Sequence, residues 1–577
     1  MNKTVLLGRT FFHRFFETDL MPPGLAQVQL LTGAVSILAG PALLLPFSLA
    51  ARYELLAIKP AALARALIVH RLLFVTFTMA ALGLVSLVVW EGVFPDRRDA
   101  RILGSLPLRS STLIAARLGA LGVVAAIFIL ATNAVPTLIY GTTVGAYGGA
   151  SSPLHGIVAH FVTTTAAGAF VFFGFISLQG LLLNVAGRVA AERLSVVLQI
   201  AFVVGLLQLI FFFPRIGSLV GQEASDLTAH PLMRYVPSVW FFALYVVVGG
   251  KASSDTVPLA LLAAGLTVLV VLLAVGLFVM THDRLTRLAL ESRDVAGPKN
   301  RLIGAAVRWV NVTVVRNPTH RAVFQFTLKT IVRSRTHRML LALYAGVGLA
   351  FVMSGFIPLL MRAGVAGLNV PSIPLLSTPF VLMFFCLVGM RAAFALPVEP
   401  KAAWVIRLLE PRDRVAAVNG ARTAMLAAVV VPIALLAAVS TTFLLDAWHA
   451  AVHTTFCVLL GWLLAETMSL TLNKIPFTCT YYPGLSKLRS LWPLYLTAFT
   501  TFSYTTPVVE HAAFRDPSVL ITFSVVALTA IAVLRLTRSY RLRALPGFKF
   551  QEEDPEAMFQ GFSLSEGLAA NTSARRR

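Results

Sequence analysis

The sequence predicts an all-α polytopic membrane protein with about twelve transmembrane helices, arranged as two parallel six-helix halves. Its residues are 57% hydrophobic and only 13% charged, whereas soluble chains are about a quarter charged. The apolar residues form long blocks, and about 20 such residues in a helix cross a bilayer core. Backbone N–H and C=O groups cannot remain unpaired in lipid, so these blocks must be helical. The alternation over about ten residues that is typical of barrel strands does not occur in the sequence.

Residues 1–20 are expected to form an amphipathic helix in the membrane interface rather than a cleavable signal. Four phenylalanines recur at helical spacing and three polar residues take the opposite face: Phe11, Phe12, Phe15 and Phe16 against Arg9, His13 and Glu17. The alternative is an ordinary amphipathic helix packed on protein.

Apolar blocks then place six spans in each half. The first half, 21–280, holds spans at 25–49, 72–92, 114–140, 157–187, 194–214 and 257–280. A basic cytoplasmic linker, 281–338, carries a second interfacial helix at 324–335. The second half, 339–545, holds spans at 339–361, 375–394, 421–445, 447–472, 491–508 and 517–535, and 546–577 is a cytoplasmic tail. Pro41 and Pro46 predict a break in the first span.

Loop charges set the orientation, because cytoplasmic loops collect Lys and Arg. Linker 281–338 has twelve basic and three acidic residues. Alternation from this linker places both termini and loops 93–113 and 395–420 inside. Loop 50–71 is an anomaly, because it falls outside but carries four basic residues. Either this segment lies along the interface or the first span is wrong.

The two halves repeat one layout, which favours an internal duplication. Each has an amphipathic helix, two spans, a basic loop, two spans, a short basic loop and two spans. The run PDRRDARILGSLPLR at 95–109 occupies the same place as PVEPKAAWVIRLLEPRDR at 397–414.

Recognisable enzyme motifs are absent from the sequence. There is no Walker-type GxxxxGK[ST] loop, no HExxH, no GxSxG and no CxxC. We therefore expect no cofactor, and no ATP hydrolysis by this chain itself. The net charge of +23 is explained by inside loops, so we expect a lipid bilayer and no nucleic acid as partner.

Glu466 is the clearest ionisable residue inside a span, and Gln179 stands at the equivalent place in the first half. A charge at mid-bilayer costs about 2.5–3.5 kcal/mol on insertion scales, so Glu466 should face protein or water. Both residues are candidates for a central pathway. The alternative is an interhelical hydrogen bond that only locks packing.

His449 and His453 lie one helical turn apart, with Asp446 just before them. This spacing suits a metal ion, but no fourth ligand is visible nearby. The ordinary interpretation is a polar and aromatic helix end, and we expect no metal.

The basic loops after the second and eighth spans carry the strongest signal. Acids and bases alternate there beside prolines and apolar residues, as in a folded docking helix rather than a purely topogenic loop. The alternative is a solvated inside loop. The candidate residues are Asp96, Arg97, Arg98, Asp99, Arg101 and Arg109 in the first loop, and Lys401, Arg407, Glu410, Arg412 and Arg414 in the second.

The chain resembles the type-2 ABC exporter permeases. The run PDRRDARILGSLPLRSSTLIAARL at 95–118 resembles the coupling segment of that family, and 397–422 is its counterpart. The run KIPFTCTYYPG at 474–484 resembles loops of two-fold versions of these permeases. Most members carry one six-helix unit per chain, whereas this chain carries two.

This resemblance implies the membrane subunit of an ATP-driven exporter in a bacterial plasma (inner) membrane. A separate ABC ATPase dimer would bind the coupling residues and drive the two halves apart. A gradient-driven carrier, also often built from two six-helix halves, and a non-transporting scaffold or transferase are the other classes.

Overall fold

A computed structural model describes residues 3–16, 25–95, 102–103, 106–147, 152–211, 213, 233–291, 317–398, 403–408, 410–479, 495–544 and 547–548. Over these residues the chain is helical and contains no strand. It divides into a first unit, 1–18, 23–299 and 342–367, and a second unit, 19–22, 300–341 and 368–577.

The helices of the first unit include one short amphipathic helix, one short apolar helix and six long helices. They are α1 (Lys3–Phe16), α2 (Leu25–Leu56), α3 (Pro60–Val89), α4 (Ser110–Tyr147), α5 (Pro153–Val185), α6 (Gly187–Phe211), α7 (Pro237–Val248) and α8 (Thr256–Glu291). A 3₁₀ turn, Trp90–Gly92, follows α3.

The amphipathic helix α1 packs on protein through its phenylalanine face. Phe11 and Phe15 are buried in one cluster with apolar residues of α3 and α4. The guanidinium of Arg117 lies over the Phe11 ring, 5.0 Å from its centroid. Val5 and Leu6 on α1 remain exposed. These contacts favour the packed alternative for the expected N-terminal helix.

The anomalous loop 50–71 is helical over most of its length. α2 runs to Leu56 and α3 begins at Pro60, which leaves only residues 57–59 as a turn. The expected break at Pro41 and Pro46 is wrong, because α2 continues through both prolines. Membrane helices tolerate proline when neighbouring side chains satisfy the freed backbone groups.

Glycines bring the end of α4 and the start of α5 into close contact. A β-carbon at Gly156 would collide with the carbonyl oxygen of Gly141. Small residues at helix crossings allow backbones to approach in this way.

The second unit begins with an amphipathic helix capped by a side chain. Asn317 precedes α9 (Pro318–Arg333), and its Oδ1 accepts from the backbone N–H of Thr319 at 2.9 Å. After it come α10 (Arg335–Ala363), α11 (Ile373–Ala393), α12 (Ala403–Leu408), α13 (Arg414–Met425), α14 (Val431–Leu444), α15 (Ala447–Leu470), α16 (Thr506–Arg515) and α17 (Pro517–Ala544).

One helix is divided between the units. α10 begins in the second unit, whereas its residues from 342 onward group with the first. Gln208 of α6 donates from Nε2 to the carbonyl oxygen of Ala350 at 2.6 Å. The sequence assigns this helix wholly to the second half, since hydropathy carries no information about which neighbour a span contacts.

Eleven helical segments in the described part of the chain are long and apolar enough to cross a membrane, and α13 and α14, joined by the π-helical turn Leu426–Val430, form one of them. The chain is therefore an all-α integral membrane protein. They match eleven of the twelve predicted spans; the remaining one, 491–508, is described only from residue 495. There, helical residues 495–500 lead through a π-helical turn, Thr501–Thr505, into α16. The short apolar helix α7 is a further element, and its 12 residues are too few for a span.

Candidate functional site

A buried carboxylate joins three helices of the second unit. Glu466 lies on α15 and is 1% exposed. Its Oε1 accepts from Arg422 Nη1 of α13, and its Oε2 accepts from Arg538 Nη1 of α17. Each carboxylate oxygen therefore holds an arginine from a different helix.

Further polar groups complete this arrangement. Arg538 also donates from Nη1 to Ser469 Oγ and from Nη2 to Asn419 Oδ1, both at 2.7 Å. Trp462 Nε1 donates to Glu466 Oε1 at 3.2 Å, and Arg535 Nε lies 3.8 Å from the same oxygen. We call these seven residues the Glu466 cluster: Asn419, Arg422, Trp462, Glu466, Ser469, Arg535 and Arg538.

The Glu466 cluster has the chemistry of a structural lock. A buried charge is tolerated when it is paired and hydrogen-bonded. Both Glu466 oxygens are occupied, so neither is open to a transported ion. Of the two predicted roles for Glu466, this contact set favours helix packing over a pathway. Three arginines surround one carboxylate, and the cluster therefore carries an excess positive charge.

Gln179, the other pathway candidate, belongs to the first unit. Its Nε2 donates to the carbonyl oxygen of Trp90 at 2.8 Å, and its Oε1 is buried without a hydrogen-bond partner. Gln179 thus ties α5 to the turn after α3. No described cavity reaches its buried acceptor oxygen, so the contacts of Gln179 are those of a packing residue.

A second buried pair was missed by the sequence analysis. His453 Nδ1 of α15 lies 2.6 Å from Glu510 Oε1 of α16, and both side chains are buried. Glu510 Oε2 has no hydrogen-bond partner. Glu510 falls between the predicted spans 491–508 and 517–535, so the sequence does not predict it as a partner for His453.

The two histidines of α15 serve different partners. Asp446 caps α15 by accepting from the His449 backbone N–H at 2.9 Å, and His449 Nδ1 lies 2.8 Å from Asp446 Oδ2. These hydrogen bonds from His449 hold the pKa of Asp446 below its ordinary value. In the described residues, no group of three or more His, Cys, Asp or Glu side chains is placed to hold a metal.

The first unit contains a buried arginine in an aromatic setting. Arg71 is 9% exposed, and its guanidinium lies 5.3 Å from the centroid of the Tyr245 ring. Tyr245 hydroxyl lies 3.2 Å from His160 Nδ1, and Tyr53 hydroxyl lies 2.9 Å from His70 Nδ1. We call these residues, with Tyr140, the Arg71 cluster. Within the described residues Arg71 forms no ion pair with a carboxylate.

Several predicted coupling residues lie outside the described residues: Asp96, Arg97, Arg98, Asp99, Arg101 and Lys401. Arg109 is exposed, and its carbonyl oxygen accepts from Thr112 at 3.0 Å where α4 begins. Arg407 lies in α12, but its side chain is outside the described part. The described coupling residues therefore concentrate in the second loop.

The second predicted coupling segment contacts the chain at residue 548, four residues beyond the end of α17. Arg414 Nε lies 3.6 Å from Glu410 Oε1. The same carboxylate oxygen accepts from the backbone N–H of Phe548 at 2.8 Å. Asp413 caps α13 through the Ala416 N–H at 2.9 Å, and Arg412 is exposed.

Apolar side chains project from both predicted coupling segments. Ile102 and Leu106 are 54% and 47% exposed, and Val405 and Leu408 are 40% and 75% exposed. Val405 and Leu408 share one face of α12, being three residues apart. Leu408 is the most exposed of the four.

The loop after α15 lies against the start of the second coupling segment. Phe477 has a φ of 66°, a conformation in which bulky residues are uncommon. Its N–H donates to the Phe394 carbonyl and its carbonyl accepts from Val398 N–H, both at 3.1 Å. These two bonds hold Phe477 against the end of α11 and residue 398.

No protein-family model, curated protein or solved structure matches this chain. The many apolar helices make it a transporter-like integral membrane protein. Its more specific activity has to be inferred from its own residues.

Proposed function

We propose that this chain is the membrane-spanning permease subunit of an ATP-driven exporter of the type-2 ABC class. It forms the substrate pathway and engages a separate ATPase through two cytoplasmic segments, residues 96–109 and 401–414. Both termini lie in the cytoplasm, and the membrane is a bacterial plasma membrane.

The observation that carries this proposal is the helix α12. It is a six-residue helix between two spans, in a loop that the charge pattern places inside. Val405 and Leu408 are exposed on this helix, and in the sequence Lys401, Arg412 and Arg414 flank it. Exposed apolar residues rimmed by charge are typical of a protein-binding surface. A loop that only set topology would need positive charge but no apolar face.

The contacts beyond α12 supply a route for movement. Asp413 fixes the start of α13, and Arg422 on the same helix holds Glu466 of α15. Arg538 extends the connection to α17. A push on α12 from a closing ATPase would reach three spans through this paired cluster, because buried ion pairs hold helices in one arrangement. The Glu466 cluster therefore has a coupling role in the proposal, rather than a substrate-binding one.

Affinity capture from native membranes tests the partner. We expect an ATPase subunit with Walker motifs to co-purify with the tagged wild-type chain. Reversing charge at Arg97 and Arg98 together, or at Arg412 and Arg414 together, should abolish this capture while membrane insertion stays intact.

Arg541→Glu is the control, because Arg541 is an exposed basic residue at the end of α17 outside both segments. It should leave capture unchanged. Capture that survives both double reversals, or that is lost equally in the control, would contradict the assignment.

One observation favours a second function, a gradient-driven carrier. The buried pair His453 and Glu510 leaves Glu510 Oε2 without a hydrogen-bond partner, and intramembrane ionisable pairs mark proton pathways in transporters. A carrier of this type would lose transport in Glu510→Gln and would work in vesicles without ATP. An exporter of the ABC class would stop when ATP is removed, whatever the proton gradient.

A further inference from the structure

A polar cavity lies where three elements of the second unit converge. It has a volume of about 440 Å³, and its lining comes from the start of α9, the start of α13 and the end of α17. Arg412, Arg414 and Arg543 line it, together with Asn317 and His320. A volume of this size is within the range of small-molecule sites.

The charges around this cavity do not balance. Among its lining residues, Asp413 is the acid that opposes three arginines, and Asp413 is engaged in capping α13. Glu410, just outside, pairs with Arg414. The lining therefore keeps a positive surplus.

The Glu466 cluster adds to this surplus from behind. Asn419 lines the cavity, and its Oδ1 accepts from Arg538. The described groups in and behind the cavity are six arginines, adding Arg422, Arg535 and Arg538, against three carboxylates, Glu410, Asp413 and Glu466. Six minus three leaves three uncompensated positive charges, and low-dielectric walls concentrate such a field.

His320, which also lines the cavity, has a lowered pKa. His320 Nε2 lies 2.9 Å from Thr423 Oγ1. Burial, and then the charge of Arg422, lowers the pKa of His320. The imidazole adds a polar side chain to the cavity lining.

We propose that this cavity binds a phosphoryl group. Arginine side chains recognise phosphate oxygens with several N–H donors. The cavity opens beside the amphipathic helix α9 and the end of α17. Basic pockets between membrane helices bind lipid headgroups, and this cavity has the same basic lining. The phosphoryl group belongs either to an anionic phospholipid or to soluble phosphate, and experiment separates these two sources.

The test uses the purified full chain in neutral detergent, without any partner. One arm adds phosphatidylglycerol, a second adds phosphatidylcholine, and a third adds inorganic phosphate. Native mass spectrometry counts the bound lipid, and a shift in melting temperature reports phosphate. We expect binding in the first arm, the third arm or both, and none for phosphatidylcholine, whose headgroup has no net charge.

Two matched variants locate the site. Arg543 lines the cavity, whereas Arg541, two residues earlier on α17, does not, and both are exposed. Arg543→Gln should weaken binding about tenfold, because one charge-assisted contact is lost. Arg541→Gln removes the same charge and should leave binding unchanged. Arg543→Lys should keep part of the affinity.

Three results would overturn the proposal. The first is no binding in any arm, and the second is an equal loss in both glutamine variants. The third is binding that appears only after residues 549–577 are deleted, which would assign the cavity to the chain's own acidic segment at 552–556. No ATPase is present in this binding assay. Its result is therefore independent of whether the chain binds an ATPase subunit, as the proposed function requires.

Discussion

The Glu466 cluster and the Arg71 cluster both hold buried arginine side chains, but they do so with different partners. The Glu466 cluster of the second unit pairs Arg422 and Arg538 with one shared carboxylate whose two oxygens are both occupied. The Arg71 cluster of the first unit offers an aromatic ring and no carboxylate among the described residues. An ion-paired cluster depends on every member, because removing one leaves the others charged and buried. Arg71 lies over an aromatic ring, and its removal would leave no charged partner buried among the described residues.

This difference gives the two clusters different sensitivities to mutation. Breaking a buried pair costs far more than an exposed one. A cation–π contact contributes about 0.5–2 kcal/mol. The second unit should therefore lose more stability than the first when its charged core is substituted.

The largest effect is expected for Glu466→Gln. This change leaves Arg422 and Arg538 buried without their shared carboxylate, at a cost of about 3–5 kcal/mol. The melting temperature and the folded yield in detergent should both fall sharply. Glu410→Gln, the same substitution at a partly exposed pair, should cost only about 0–1 kcal/mol. Equal losses for the two variants would remove the basis of the comparison.

Arg538→Met should have a smaller effect than Glu466→Gln. Two arginines remain for one carboxylate, so charge balance improves while the hydrogen bonds to Glu466, Asn419 and Ser469 are lost. We expect a loss of about 2–3 kcal/mol, the value of hydrogen bonds made by a charged group. Denaturant titration of the purified variant measures it. A variant as stable as the wild type would show that Arg538 contributes nothing beyond packing.

Asp446→Ala removes the N-terminal cap of α15 and leaves the Glu466 cluster on the same helix unchanged, so it measures the contribution of the cap alone. The folded-state pKa of Asp446 is lowered, so its stabilisation is present above the ordinary value and lost as pH falls through the lowered one. The variant should melt below the wild type at pH 7, and the gap should shrink as pH falls below 3.8, the ordinary value. A gap that is constant with pH would exclude a role for the carboxylate charge.

The smallest effect is expected for Arg71→Met. Replacing a buried, carboxylate-free arginine with an apolar side chain of similar length removes a desolvation cost along with the Tyr245 contact. The two changes should offset to within about 1 kcal/mol. The same substitution at Arg538 is the matched comparison. A loss at Arg71 as large as at Arg538 would show that the aromatic setting holds its arginine as tightly as the carboxylate does.

Hydropathy predicts the spans because lipid imposes one requirement on every segment that crosses it. It locates α3 late, since Arg65 and Arg71 interrupt the apolar pattern at the start of a helix that begins at Pro60. It misses α7, whose 12 residues are too short for a span. Local pattern therefore fixes element type better than element ends.

The sequence identifies Glu466 but not its partners. Arg422 and Arg538 lie 44 and 72 residues away along the chain, and each sits near the end of its span, where basic residues are ordinary. The sequence also fails to identify Glu510 as a partner, because Glu510 lies just after the apolar block 491–508, which is predicted as a span without it. Partner choice depends on helix packing, which a single sequence does not encode locally.

The most direct test of the central claim is a cross-link from α12. A photoreactive benzoylphenylalanine replaces Leu408, which is 75% exposed, and native membranes are irradiated with and without ATP. The same replacement at Leu528, 48% exposed on the membrane-spanning α17, is the control. We predict an adduct with a Walker-motif ATPase at position 408, changed in yield by ATP, and no such adduct at 528. No adduct at 408, or one with a protein that lacks ATPase motifs, would contradict the permease assignment.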